Sequence, residues 1–265
     1  MSRSLLQQRD AAPEGPLAAA DVAQYEDSGW LAARGFFTVA EAAAISAWTN
    51  ELTAMPEVPG GPMVYRENSL LGTGERVIQR IENFCPHHPR FEALVNHGRL
   101  RDAVAQLMGG PVVLFKDKIN FKMPGGAGFE PHQDQQAGWS VYAPLFVTAL
   151  VCIDRADTTN GCLEMAQAPR FAGLIGEEWH PLTAEQMAGF PLVPVPTEPG
   201  DVLFFDSYVP HASAPNLTAE ARRILYLTFN RAEAGDHRYR YFADKRASFP
   251  PDVERLPGVE YRFRV

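Results

Sequence analysis

Residues 113–123 alternate along the chain. Val113, Phe115, Ile119, Phe121 and Met123 fall on one side of an extended backbone, and Lys116, Lys118, Asn120 and Lys122 fall on the other. A period of two with one apolar face predicts a strand against a core, here with a row of cations on its second face. Further strands are expected at 146–153, 161–165, 193–196, 201–205 and 224–230, joined by Gly/Pro-rich turns, with a helix over 183–189 between them. The eleven residues Ala143–Ile153 are continuously rich in apolar side chains but too short for a membrane span, so they read as a strand buried on both faces. Many short strands punctuated in this way predict a sandwich or jelly roll.

The first hundred residues follow a helical pattern. A helix is expected over 17–28 and a short strand over 30–34. Thr38 with Glu41 has the spacing of a capping box and opens a second helix that Met55-Pro56 stops. Residues 56–74 read as loop, 76–84 as strand and 91–108 as a helical region ending at Gly109-Gly110. Helices before strands make the class α+β. Residues 1–16 are expected to be a flexible N-terminal arm and 17–265 a single domain.

A net charge of −8 argues against a nucleic-acid partner, and no apolar run marks a signal peptide or a membrane segment. Cys85, Cys152 and Cys162 match no zinc spacing, and three thiols cannot all pair with one another. Reduced, buried cysteines in a cytoplasmic protein are expected.

The segment PGGAGFEPHQDQQAGW leads a glycine-rich turn into His132-Gln133-Asp134. Residues i and i+2 of an extended segment point the same way, so His132 and Asp134 can grip one metal ion. His211 follows the turn and strand GDVLFFDSYVP. Two histidines and a carboxylate on one octahedral face leave three positions open, which is the pattern of non-haem iron(II) oxygenases. An isolated H-x-D is weak evidence. The joint pattern across residues 115–223 carries the reading.

The segments FKDKINFKMPGGAGFEPHQD, ALVCIDRADTTNGCLEM and PGDVLFFDSYVPHASAPNLTAEARR resemble the phytanoyl-CoA dioxygenase family in order and spacing over about residues 20–230. The resemblance implies a double-stranded β-helix core with flanking N-terminal helices. It also implies hydroxylation by iron(II) and dioxygen, coupled to decarboxylation of the co-substrate 2-oxoglutarate. His132, Asp134 and His211 fall on the iron ligands. Arg222 falls on the arginine for the distal carboxylate of 2-oxoglutarate, as the bidentate fork of a guanidinium suits, while Arg223 points to the other face of its strand. Lys118, Asn120, Thr148 and Ser213 fall on further co-substrate contacts. Taken alone, Thr148 is equally a structural β-branched residue, and Lys116 and Lys122 are equally solvated strand charges.

Many family members have a P-G-S-H turn where this chain has Gln167-Ala168-Pro169-Arg170, so the substrate contact near that turn does not carry over. The tail from Gly235, dense in Arg, Tyr and Asp, is similar to that of the subgroup that hydroxylates aminoalkylphosphonates beside phosphorus. It is equally readable as a structural tail. Phe129, Gln135, Trp139 and Tyr142 flank the metal motif and are candidate substrate contacts, the rings by cation–π attraction to an ammonium. Lys116, His180 and Arg231 are candidates for an anionic head group. The expected partner is a small polar or zwitterionic substrate, first an aminoalkylphosphonate and second an amino-acid-like metabolite, with no nucleic acid or membrane. A cupin-like isomerase or hydrolase using another metal is disfavoured by Arg222, Lys118 and Thr148. A silent binding module is disfavoured by the intact triad, and a halogenase by Asp134.

Overall fold

The computed structural model describes residues 15–261. In chain order the elements are α1 (Ala19–Ser28), β1 (Trp30–Ala33), α2 (Val39–Thr53), β2 (Met63–Asn68), β3 (Arg76–Glu82), α3 (Pro89–Asn96), α4 (Arg99–Met108), β4 (Val112–Lys122), β5 (Phe129–His132), β6 (Val147–Cys152), β7 (Leu163–Ala166), β8 (Leu192–Val195), β9 (Val202–Asp206), β10 (His211–Ser213), β11 (Arg222–Arg231) and α5 (Arg238–Ser248). Seven strands form an antiparallel sheet in the order β1-β9-β6-β11-β4-β3-β2, and four form a second in the order β5-β10-β7-β8.

The major sheet is covered on both faces, and alternation decides which side chain goes where. Val147, Ala149 and Val151 of β6, Val202 and Phe204 of β9, and Leu225 and Leu227 of β11 pack beneath the helices with Tyr25, Ile45, Phe91 and Val104. Their neighbours Leu150, Leu203, Phe205, Ile224 and Tyr226 turn inward and meet Leu163, Met165 and Val195 of the minor sheet. Two faces of apolar cover explain the unbroken apolar run of β6. The expected α+β double-stranded β-helix is therefore present, with its helices on the outer face of the major sheet. The Thr38–Glu41 capping box also forms, with Glu41 accepting from the Thr38 N–H at 2.8 Å.

Several expectations need correction. The stretch 56–74 contains β2, whose pairing with β3 overrides its polar sequence. The helical region 91–108 is two helices, broken at Gly98 in a left-handed conformation (φ 83°). Residues 183–189 make turns and no helix, although Thr183 and Gln186 exchange capping bonds. The alternation of β4 slips where Thr228 pairs with Lys116 but Phe229 pairs with Leu114. This bulge puts Val112 and Leu114 with Ile119 and Phe121 beneath the helices, while Phe115 joins Trp139, Phe146 and Tyr241. Residues 1–14 of the expected arm lie outside the described residues. Among the described residues, no helix is long and apolar enough to cross a membrane.

Helix α5 has only two buried side chains, Tyr241 and Phe242. Buried ion pairs hold it to the sheet: Arg238 with Asp117, and Lys245 with Glu82, which also accepts from Arg80 Nε at 2.8 Å. Burial alone would raise the Glu82 carboxyl, but Lys245, Lys116 and Arg80 outweigh it and hold the group well below the usual carboxylate range. Its contribution is therefore complete above the ordinary carboxylate range and is lost only as pH falls through the depressed folded value. Glu82→Gln removes the shared carboxylate from the buried Arg80 and Lys245, so urea denaturation at pH 7 should show a loss of about 3–5 kcal/mol. A loss under about 1 kcal/mol would contradict this.

Candidate active site

His132 ends β5 and His211 begins β10, and these residues pair directly across the minor sheet. Asp134 opens a single 3-10 turn immediately after β5. Each imidazole has its Nδ1 bound to the carbonyl two residues earlier, His132 to Glu130 O at 2.7 Å and His211 to Val209 O at 3.0 Å. A carbonyl only accepts, so Nδ1 carries the proton and Nε2 presents its lone pair. Both Nε2 atoms stand 3.9 Å from Asp134 Oδ1, and the three donor groups lie within 4.8 Å of one another. Burial, the nearby His211 and Lys118 push His132 down to about 4, so it stays neutral at neutral pH. Asp134 is held low by His211, Lys118 and His132 against the opposing effect of burial. Two neutral imidazoles and one carboxylate are a donor set that fits a divalent transition metal.

The triad opens onto a cavity of about 380 Å³. Its second wall is the inner face of β4, where Lys116, Lys118 and Asn120 line it, with Phe129 and Ser213 opposite. Lys122 turns away from the cavity, donating to Ser213 Oγ at 2.8 Å and to the carbonyls of Gly161 and Ala214. Arg222, paired with Lys122, is buried just beyond this wall. Its Nη2 donates to Gly161 O at 2.6 Å, while its buried Nε and Nη1 meet no acceptor in hydrogen-bonding geometry. A buried guanidinium with open donors fits the far carboxylate of a dicarboxylic co-substrate. Arg223 does face the other way, bound to Asp154, Ser46 and Asn50 under α2.

The remaining candidates divide. Trp139 lines the cavity. Tyr142 lines an adjoining one and donates to Asp244 at 2.6 Å. Thr148 is engaged with Thr228 at 2.9 Å and does not reach the cavity. Gln135 is buried and committed to Ser140 and the Ala143 carbonyl. His180 is an exposed side chain on a surface turn. Arg231 lies at the opposite end of β11 from Arg222, bound to Met108 O beside Gly110. Closeness to the metal motif makes Gln135 a candidate in sequence, and charge makes His180 and Arg231 candidates; the turn after Asp134 turns Gln135 into the interior, His180 projects from a surface turn, and the length of β11 carries Arg231 away. Sequence reasoning missed Arg80 and Glu82 of β3, Tyr226 of β11, and Trp179, all of which line the cavity. The register Tyr226↔Lys118 is a signal that could have found Tyr226 once β4 and β11 were recognised as neighbours.

The sequence profile of the phytanoyl-CoA dioxygenase family matches residues 25–224. The chain belongs to this family. It is 40% identical over 239 residues to the 2-aminoethylphosphonate dioxygenase of an uncultured bacterium, covering 90% of this chain and 91% of that protein. It is 35% identical over 227 residues to the methylphosphonate hydroxylase of Gimesia maris, covering 85% of each. Among solved structures, EctD from S. alaskensis with 2-oxoglutarate and 5-hydroxyectoine superposes with a TM-score of 0.70 at 21% identity, over 85% of this chain and 80% of that one, which shows the shared fold. The chain is thus a dioxygenase of this family, and the cluster of His132, Asp134 and His211, which could hold a metal ion, lies between the two sheets.

His132→Ala, Asp134→Ala and His211→Ala should each lose stoichiometric iron(II) binding while keeping the circular dichroism spectrum of the parent. Retention of iron and activity by Asp134→Ala would remove the site from this cluster.

Proposed function

We propose that the protein is an iron(II)- and 2-oxoglutarate-dependent dioxygenase that hydroxylates a small aminoalkylphosphonate at the carbon next to phosphorus. The observation that carries the substrate class is the pair of ammonium groups on β4. Lys116 and Lys118 enter the cavity with no hydrogen-bonded or ion-paired carboxylate among the described residues; they lie against aromatic rings, with Glu82 and Asp134 farther off in the same cavity lining. Burial and the neighbouring Lys116 push Lys118 down to about 7. Such a cost is offset when a multiply charged anion sits between the two lysines. A phosphonate carries more charge than a carboxylate and matches that need. The two phosphonate-oxidising relatives support the same reading.

His132, Asp134 and His211 would hold the iron, and Arg222 with Ser213 would receive the far carboxylate of 2-oxoglutarate. When bound, iron(II) with 2-oxoglutarate and dioxygen supplies the oxidising power for breaking a C–H bond. The chain's own contribution is placement. Lys116 and Lys118 fix the anionic end, and the aromatic walls limit water around the reacting carbon. The cavity of about 380 Å³ suits a small molecule better than an acyl thioester, and the adjoining one of about 740 Å³ sets Glu178, Asp244 and Glu260 against Lys116 and Lys245, so it offers no net basic surface for the phosphates of an acyl-CoA. The three unpaired, buried cysteines suit a reducing, cytoplasmic compartment.

The direct test incubates iron(II)-loaded protein with 2-oxoglutarate and a panel of phosphonates, amino acids and acyl-CoA esters, and measures substrate-dependent succinate. Aminoalkylphosphonates should lead the panel, and stimulation by acyl-CoA esters alone would overturn the substrate class. In the same assay Arg222→Ala should raise the KM for 2-oxoglutarate on the order of a hundredfold, with little change in that for the phosphonate. Arg223→Ala should leave both within about twofold. The reverse pattern would contradict the assignment of Arg222.

A further inference from the structure

The rings that flank the metal motif in sequence are already covered by the protein's own cations. Lys116 Nζ lies 5.3 Å from the Trp139 ring centroid, and Lys118 lies 4.5 Å from Tyr226 and 6.0 Å from Phe129. Lys122 stands 5.8 Å from Phe129, and Arg240 stands 5.1 Å from Tyr142. A ligand ammonium at any of these rings would meet like charge close by. Among the described residues, Trp179 is the remaining aromatic side chain lining the cavity, and no protein cation covers it.

Trp179 is also held in an unusual way. Its backbone is left-handed (φ 67°), a conformation that a bulky side chain adopts only when its surroundings impose it. Its N–H donates to Gln136 O at 2.8 Å, and Gln136 Nε2 donates to the carbonyls of Glu177 and His180 at 2.7 and 2.8 Å. Gln133 grips the same loop farther back, accepting from Ile175 N at 2.8 Å and donating to Gly173 O at 3.0 Å. Both glutamines are fully buried and flank Asp134, so the loop hangs on the metal-ligand segment itself. The ring packs against Gly138, where an added Cβ would come within 2.2 Å of its Cζ2 atom. The result is a half-exposed indole at the mouth of the cavity, in register with the triad.

We infer that Trp179 is the specificity-determining residue that receives the substrate ammonium and so selects aminoalkylphosphonates over plain alkylphosphonates. This rests on the phosphonate reading above. The phosphonate lies inward at Lys116 and Lys118, the ammonium lies outward over the indole face, and the carbon between them is presented to the triad.

The test compares 2-aminoethylphosphonate with n-propylphosphonate, in which a methyl group replaces the ammonium. Succinate release and anaerobic calorimetric binding are measured for the iron-loaded parent, Trp179→Ala and Trp179→Phe. Trp179→Ala should weaken binding and raise KM for 2-aminoethylphosphonate roughly tenfold or more, while n-propylphosphonate and 2-oxoglutarate change less than about threefold. Trp179→Phe, which keeps a π face, should recover part of the loss. Equal losses for both phosphonates, or no loss for 2-aminoethylphosphonate, would overturn the inference. If the parent itself turns over neither phosphonate, the function reading fails first and the inference falls with it, a result distinct from a variant effect.

Discussion

The inner face of β4 sets the terms for the rest of the molecule. Lys116, Asn120 and Lys122 are almost wholly buried there, and Lys118 shares their face. Bringing ammonium groups inside a barrel costs several kcal/mol each unless a counter-charge or hydrogen bonds meet them. The chain answers differently at each position. Lys122 is satisfied by Ser213 and backbone carbonyls. Glu82, gripped by Arg80 and Lys245, supplies a negative charge near Lys116. Lys118 has no ion pair, and burial and the neighbouring Lys116 reduce its basicity against the opposing pull of Asp134 and Glu82. What remains is a surplus of positive charge beside the candidate metal triad, which the proposed anionic ligands would meet.

This layout separates two anion sites along one strand. Strand rise is about 3.3 Å per residue, so Lys122 and Lys116 lie roughly 20 Å apart along β4. The Arg222 guanidinium and Ser213 gather at the Lys122 end, Arg80 and Glu82 pair with Asn120 and Lys118 midway along the strand, and Tyr241 and Lys245 of α5 lie beside Lys116. The triad opens onto the cavity between them. Under the proposed function, a dicarboxylic co-substrate and an anionic prime substrate would approach the same centre from opposite ends. Residues 225–265, which include most of β11 and all of α5, lie past the segment that the family profile matches.

Much of this was legible in the sequence, for identifiable reasons. His132 and Asp134 declare themselves because the i, i+2 relation survives in a short strand, and Arg222 is distinguishable from Arg223 because β11 is regular there. The β4 lysines read correctly as one face from 116 to 122. The pattern failed at Phe115, where a bulge reverses parity, and at β2, whose charged residues hide a strand made by its neighbour. Helix α5 was invisible because ion pairs to Asp117 and Glu82 replace the apolar stripe that sequence periodicity detects. Trp179 was missed because it sits in an irregular loop, placed by hydrogen bonds to two glutamines rather than by any repeating pattern. His180 and Arg231 show the converse, since charge and nearness in sequence say nothing about which way a turn or a long strand leads.

The central claim is that charge on β4 and the triad together direct oxidation to the carbon beside phosphorus. Phosphorus NMR of the products tests it most directly. With iron(II), 2-oxoglutarate and dioxygen, 2-aminoethylphosphonate should be replaced by a single new phosphonate resonance, its phosphorus coupled to one proton on a hydroxyl-bearing carbon, in step with succinate. An unchanged phosphonate resonance while succinate accumulates, or a hydroxyl group on the carbon bearing nitrogen, would contradict the account.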